Sequence, residues 1–192
     1  MDLAALILPA LVAGVAVWFA AFLIWMVSGL HTKDIQSLSD EQQFMDDLKR
    51  HDLPPGLYMW PNCQDRADLN SDDFKARWKA GPWGTINILG GQPNFLRNLV
   101  GTLVLYCLIA LGIAAAISMV LGGVNGADVL VTCTWCQIFA PAAILAGTAY
   151  VLGPICGDLF LGKQTRFIIT QSIGGVIYAL VTALLLTLMW PV

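Results

Sequence analysis

The chain has 192 residues, of which 57% are apolar and only 12% are charged. Because an ordinary soluble domain has about 25% charged residues, this composition argues against one. The formal net charge is −3, and the eight basic residues of the segment 31–98 are balanced by ten acidic ones. The sequence therefore contains no basic patch suited to a nucleic-acid backbone, and no nucleic-acid partner is expected.

Four apolar segments predict four transmembrane helices, near residues 4–29, 99–121, 130–154 and 167–190. Each lies in a run without charged residues that is longer than the roughly 20 residues needed to cross a bilayer. A buried helix of a soluble protein is the alternative for any single run, but four runs together favour an all-α membrane protein. The first run follows Met1-Asp2 without a basic residue and is long for a signal peptide, so we expect it to be retained as a helix.

The predicted organisation is helix one in residues 1–30, a loop module in 31–98, and helices two to four in 99–192. All ten Lys and Arg residues lie either between helices one and two or between helices three and four. The positive-inside rule then places both of these loops in the cytoplasm and both termini outside.

The loop module begins with a short predicted helix. Ser39-Asp40-Glu41-Gln42 matches a capping box, with the serine three residues before the glutamine. This helix ends in Lys49 and Arg50, whose charges are favourable at a helix C-terminus.

The next stretch, "LPPGLYMWPN" at 53–62, is interpreted as a rigid turn. Its two consecutive prolines fix the backbone, and Tyr58, Met59 and Trp60 are large side chains. Tyrosine and tryptophan are the residue types that often anchor protein contacts. The alternative is that the turn only covers the protein's own helix ends at the membrane surface.

A second short helix is predicted to start at Asn70-Ser71-Asp72-Asp73 and to stop at Gly81-Pro82. Its Phe74 and Trp78 are four residues apart and therefore share one face. They join the aromatic turn in a predicted partner-binding surface. After this helix, "GTINIL" is a plausible strand and "GGQPN" a turn, so a short hairpin is also allowed. About 68 residues with two short helices do not bury a large core, and we expect the module to be ordered by docking.

Small residues at four-residue spacing predict close packing between the membrane helices. These helix-packing residues are Gly14 in helix one, Gly147 in helix three, and Gly175, Ala179 and Ala183 in helix four. Packing within one bundle is favoured over a dimer interface. A kink is expected only at Pro141, in the middle of helix three.

No catalytic motif or metal site is predicted, and the protein is not expected to be an enzyme. "CTWC", from Cys133 to Cys136, has redox spacing but lacks a thioredoxin-like context, so buried free cysteine is the favoured interpretation. Neither His31 nor His51 is expected to have an interaction partner three or four residues further along the chain. His31 is a candidate for a haem or pigment contact, but anchoring at the membrane interface is the preferred interpretation. No cofactor is therefore predicted, and the only expected small-molecule contacts are with lipid.

Three stretches together resemble a family of small bacterial integral membrane proteins that are mostly described as hypothetical. They are "LPPGLYMWP" at 53–61, "GPWGTINILGGQPN" at 81–94 and "GVIYALVTALLLTLMWP" at 175–191. The resemblance implies four helices, a PGxYMFP-type turn, a GPxG…PN segment and an IYALxTA…WP ending, in a bacterial inner membrane. This chain departs from the family pattern with Trp60 in place of Phe and with Gly174 in place of an acidic residue. The family supplies no catalytic residues to transfer.

The favoured function is a non-catalytic accessory or structural subunit of a larger bacterial membrane complex, such as a respiratory or photosynthetic assembly. Its expected partners are other integral membrane subunits and the lipid bilayer. The middle of each predicted span lacks an ionisable residue, which disfavours coupled transport. The alternative is a small passive channel or facilitator, for which Gln137 and Gln171 offer a sparse polar lining.

Overall fold

The structure is a computed structural model that describes residues 3–63, 65–123 and 135–191. It is 72% helical and divides into two units. The membrane unit comprises Met1–Gln36 and Phe95–Val192, and the loop unit comprises Ser37–Asn94. In chain order the elements are α1 (Ile7–Phe22), α2 (Glu41–Arg50), β1 (Gly56–Trp60), α3 (Asp72–Ala80), β2 (Gly84–Ile88), α4 (Phe95–Gly123), α5 (Ala140–Gly147), α6 (Gly153–Phe160) and α7 (Thr165–Leu188).

The membrane unit contains four helices that are long and apolar enough to cross a membrane. They span Ala4–Val27, Phe95–Leu121, Trp135–Phe160 and Thr165–Leu188. The sequence therefore predicted the number of such helices correctly. The third span runs six residues beyond its predicted end, whereas residues 130–134 of the prediction lie outside the described residues. The additional residues include Asp158, whose carboxylate pairs with the Lys163 ammonium at 2.9 Å.

Helices α1, α4, α5 and α7 pack around one apolar core. α1 contacts both α4 and α7, and α5 contacts α7. Alanine fills half of the buried core positions, which lets the backbones approach closely. The buried alanines are Ala10, Ala13, Ala21, Ala110, Ala114, Ala142, Ala146, Ala179 and Ala183.

The third span is irregular at two places. A π-helical turn at Trp135–Phe139 precedes α5, and another at Thr148–Leu152 precedes α6. Pro141 and Pro154 each occupy the second position of the α-helical segment that follows. Inside a helical span a proline removes one backbone hydrogen bond, and both prolines lie directly after a π-helical turn. The sequence singled out Pro141 but not Pro154, because the predicted span ended at residue 154.

The loop unit begins with α2, whose start differs by one residue from the prediction. The side chain of Asp40, rather than that of Ser39, is the N-cap, and it accepts a hydrogen bond of 2.9 Å from the Gln43 N–H. The three-residue spacing of the capping box is kept, since Asp40 and Gln43 are as far apart as Ser39 and Gln42. α3 begins as expected, with the Ser71 hydroxyl accepting from the Phe74 N–H.

The segment interpreted as a turn contains a β-strand. β1 pairs antiparallel with β2, with Gly56 opposite Ile88, Tyr58 opposite Ile86 and Trp60 opposite Gly84. The two prolines precede β1, where their missing N–H groups break no ladder hydrogen bond. The aromatic side chains that suggested a docking turn also have high strand propensity. The hairpin is therefore present, and its first strand is the quoted stretch.

Candidate functional site

The strand pleat divides the predicted aromatic tip between two faces. Successive side chains of a strand point to opposite sides, so Tyr58 and Trp60 share one face and Met59 lies on the other. The Tyr58 hydroxyl donates a hydrogen bond of 2.7 Å to the carbonyl oxygen of Pro54, which fixes the chain before β1. The interpretation as a turn assumed that the three side chains share one surface. The structure instead places Met59 on the opposite face from Tyr58 and Trp60.

The Trp60 ring is held against the backbone of the opposite strand. It lies over Gly84, and a side-chain carbon at that position would overlap the indole. Glycine therefore provides the space for the ring. The ring is nevertheless 41% exposed, and it forms an aromatic face on β1 and β2.

The predicted pair on α3 is formed, but its two members differ in burial. The ring centroids of Phe74 and Trp78 are 5.9 Å apart. Phe74 is buried, whereas Trp78 is 50% exposed. The Trp83 indole N–H donates to the Trp78 carbonyl oxygen at 2.7 Å, so a third indole, which the sequence analysis did not select, is fixed beside the pair.

Two of the predicted packing glycines lie at close backbone contacts between helices. A Cβ atom at Gly14 would lie 2.5 Å from the Cys107 Cα atom of α4. A Cβ atom at Gly175 would overlap the Tyr150 carbonyl group in the third span. Ala179 and Ala183, which continue the Gly175 stripe, are 5% and 0% exposed.

Gly147 is not at a close contact, and this part of the prediction is wrong. A Cβ atom there would meet nothing within 4 Å. The buried small residues of α5 are Ala142 and Ala146, one position earlier in the helix. The sequence spacing identified a small-residue stripe but assigned it to the neighbouring side of the helix.

Three tyrosines form a cluster inside the membrane unit. The ring centroids of Tyr106, Tyr150 and Tyr178 are each 5.9 Å from the other two, in edge-on arrangements. Such arrangements place the positive edge of one ring on the negative face of another. The cluster joins α4, the third span and α7, and sequence spacing gave no signal for it.

A polar cluster at one end of the membrane unit connects the segment after α1 to the first turns of α7. The Asp34 side chain is fully buried. Its Oδ1 atom pairs with the Arg166 Nε at 3.0 Å, and its Oδ2 atom accepts from the Thr170 hydroxyl at 2.5 Å. The Thr170 hydrogen bond lowers the pKa of the Asp34 carboxyl; burial opposes this, and His31 and Arg166 lower the pKa further. The carboxylate is thus held in its charged form.

His31 belongs to the same cluster, so the expectation that it lacks a nearby partner is wrong. Its Nδ1 atom lies 2.8 Å from the Oδ2 atom of Asp34, three residues further along. Its ring stacks on the Trp25 indole, with the centroids 3.7 Å apart and the planes 6° from parallel. The ring is 5% exposed. The spacing of His31 and Asp34 was visible in the sequence, but only the fold places Thr170 and Arg166 beside them.

The remaining candidates add no further site. Cys133 lies outside the described residues, and Cys136 is exposed, so the expectation that it is buried is wrong. Within the described ranges, no three His, Cys, Asp or Glu side chains are grouped as metal ligands.

Comparisons with protein-family models, with curated proteins and with solved structures gave no match to this chain. The resemblance to small bacterial membrane proteins therefore stays a prediction from three short stretches.

Proposed function

We propose that this protein is a non-catalytic accessory subunit of a larger bacterial membrane complex, with an energy-transducing assembly as the expected setting. In this proposal the membrane unit provides apolar helix faces, and the loop unit provides the contact with other membrane subunits. The observation that carries the proposal is the apolar side-chain surface of the loop unit.

The loop unit has a very small core for its content of large apolar residues. Among its described residues, Phe74 is the buried hydrophobic side chain. Trp60, Trp78 and Trp83 are 41%, 50% and 60% exposed. A soluble domain of similar size would place most of these indoles inside. Their exposure favours a surface that becomes buried in an assembly.

The energy available from such burial is substantial. An aromatic side chain buries about 150–250 Å² when covered, so a half-exposed indole still offers about 100 Å². At about 25 cal/mol per Å², covering one such indole contributes roughly 2.5 kcal/mol. Two or three indoles covered together would therefore anchor a contact between subunits.

Three of the aromatic side chains are fixed before any partner binds. Trp60 lies on Gly84, the Trp83 indole is hydrogen-bonded to the Trp78 carbonyl oxygen, and Tyr58 is hydrogen-bonded to Pro54. A side chain that is already ordered loses less entropy on binding, where each flexible one costs about 0.5–1.5 kcal/mol. This pre-organisation supports a docking role.

The charge pattern of the spans supports a scaffold more than coupled transport. The four spans carry their few ionisable residues at their ends, as Asp158 and Arg166 illustrate. Proton relays and ion paths instead use ionisable groups deep in the membrane.

Purification through a tag on this chain, in mild detergent from native membranes, tests the proposal. We expect other integral membrane proteins to co-purify with the wild type and to be lost from the Trp60→Ala/Trp78→Ala variant. Trp135→Ala is the matched control, because this indole is also 50% exposed but belongs to the membrane unit. Recovery of the wild type alone would overturn the subunit proposal. Equal recovery of partners with all three proteins would retain the subunit but assign its anchor to another surface.

A further inference from the structure

A cavity of about 490 Å³ lies at one end of the membrane unit, between the segment after α1 and α7. Its lining combines two cationic side chains, Lys33 and Arg166, with the apolar side chains of Ile24 and Ile177. A site with both characters fits an amphiphilic ligand better than a purely apolar or purely ionic one.

Lys33 lies just beyond the end of the first span, and Arg166 lies in the first turn of the fourth. The first span ends at Val27 and the fourth begins at Thr165. Lys33 and Arg166 are therefore expected at the level of the lipid headgroups, outside the hydrocarbon core of about 30 Å.

The turn after α1 returns the chain to this cavity. Gly29 has a φ of +68°, a left-handed conformation that glycine adopts readily. The Ser28 hydroxyl donates to the Ile24 carbonyl oxygen and accepts from the Leu30 N–H, which fixes the chain on both sides of Gly29. Ser28 and Gly29 themselves line the cavity.

Arg166 is oriented by the buried carboxylate and keeps donors for a ligand. Its pairing with Asp34 uses the Nε atom, whereas a guanidinium has five N–H donors. Lys33 is exposed and makes no ion pair among the residues that the structure describes. Lys33 and Arg166 contribute two positive charges and the supporting Asp34 one negative charge, so these three residues together carry a net positive charge.

An apolar groove of about 390 Å³ adjoins the cavity along α7. It is lined by Ile168, Ile169, Ser172, Ile173, Val176 and Ile177. Ile177 also lines the cationic cavity, so the two spaces are neighbours that share this side chain. From Ile168 to Ile177 the groove follows about 14 Å of helix, which is roughly half of the hydrocarbon thickness and thus one leaflet.

We propose that the cavity and groove together bind one anionic phospholipid. The phosphate contacts Lys33 and Arg166, and one acyl chain lies in the groove on α7. The net positive charge selects an anionic lipid over a zwitterionic one, because basic pockets at the ends of membrane helices attract anionic headgroups. This site does not depend on the subunit function proposed above.

Native mass spectrometry of the detergent-solubilised full chain, titrated with phosphatidylglycerol or phosphatidylcholine, tests the headgroup contact. We expect the wild type to bind phosphatidylglycerol more tightly. Lys33→Gln should weaken this binding about fivefold, the factor contributed by one surface cation. Lys79→Gln is the matched control, since Lys79 is an exposed lysine of α3 outside the cavity, and it should leave binding unchanged.

A second pair of variants tests the acyl chain. Val176→Trp fills the groove and should weaken phosphatidylglycerol binding, whereas Leu180→Trp lies on the same helix outside the groove lining and should not. Inorganic phosphate should not displace the lipid.

Equal binding of the two lipids by the wild type would overturn the proposal without reference to any variant. Equal loss in Lys33→Gln and Lys79→Gln, or equal effects of the two tryptophan variants, would also overturn it. Displacement by inorganic phosphate would assign the cavity to a free anion instead.

Discussion

Replacing Gly175 by alanine isolates the close contact between α7 and the third span. The added methyl group would overlap the Tyr150 carbonyl and would lie 2.9 Å from the Val151 Cγ2 atom. Because the carbonyl is part of a helix backbone, it does not move aside as a flexible side chain would. Overpacking of this kind typically costs about 1–3 kcal/mol.

Gly147→Ala is the matched control for this prediction. Both changes replace a helical glycine and gain up to about 1 kcal/mol of helix propensity. At Gly147, however, the added methyl group meets nothing within 4 Å. The propensity term therefore cancels in the comparison, and Gly175→Ala should be about 1–3 kcal/mol less stable than Gly147→Ala.

Thermal unfolding in detergent, followed by near-ultraviolet circular dichroism, measures this difference. For a chain of this length 1 kcal/mol corresponds to about 2–4 °C in Tm. Equal unfolding temperatures for the two variants would refute the reasoning, because they would show that α7 and the third span are not in backbone contact at Gly175.

Three further predictions concern the polar cluster, the loop unit and the topology. Because the folded-state pKa of Asp34 is lowered from 3.8, its stabilising contribution should be present above that value and be lost as the pH falls through the lower folded pKa. Stability measured between about pH 2 and 5 should therefore fall more steeply for the wild type than for Asp34→Asn; parallel profiles would contradict this. An excised 37–94 fragment should unfold without a cooperative transition, since Phe74 is the buried hydrophobic residue among those described there, and a sharp transition in circular dichroism would disprove it. A C-terminal reporter fusion should be active only if the reporter functions in the periplasm, and cytoplasmic activity would exclude the predicted orientation.

The number of membrane spans followed from the sequence because it depends on a local property. A run of about 20 residues without charge is apolar enough to cross a bilayer whatever its neighbours are. The start of α3 was also predictable, since the Ser71 cap acts within three residues of itself. The cap of α2 was displaced by one residue because Asp40 and Ser39 are both capable N-caps, and the sequence alone did not rank them.

The hairpin shows where local properties were ambiguous. Prolines followed by aromatic residues fit both a rigid turn and the start of a strand. Pairing with β2, about 28 residues further along, decided in favour of the strand. The same pairing then separated Met59 from Tyr58 and Trp60, because the pleat alternates side chains between two faces.

The tertiary structure alone decided which small residues form close contacts and which charged residues meet. Gly147 and Gly175 both fit the spacing of a packing stripe, but only Gly175 faces a neighbouring backbone, since the facing side depends on where the other helices lie. Asp34 and Arg166 are 132 positions apart, and each taken alone resembles an ordinary residue at the end of a span. Sequence thus determined the local elements, whose energetics involve near neighbours, whereas the candidate sites required contacts between segments that only the folded chain brings together.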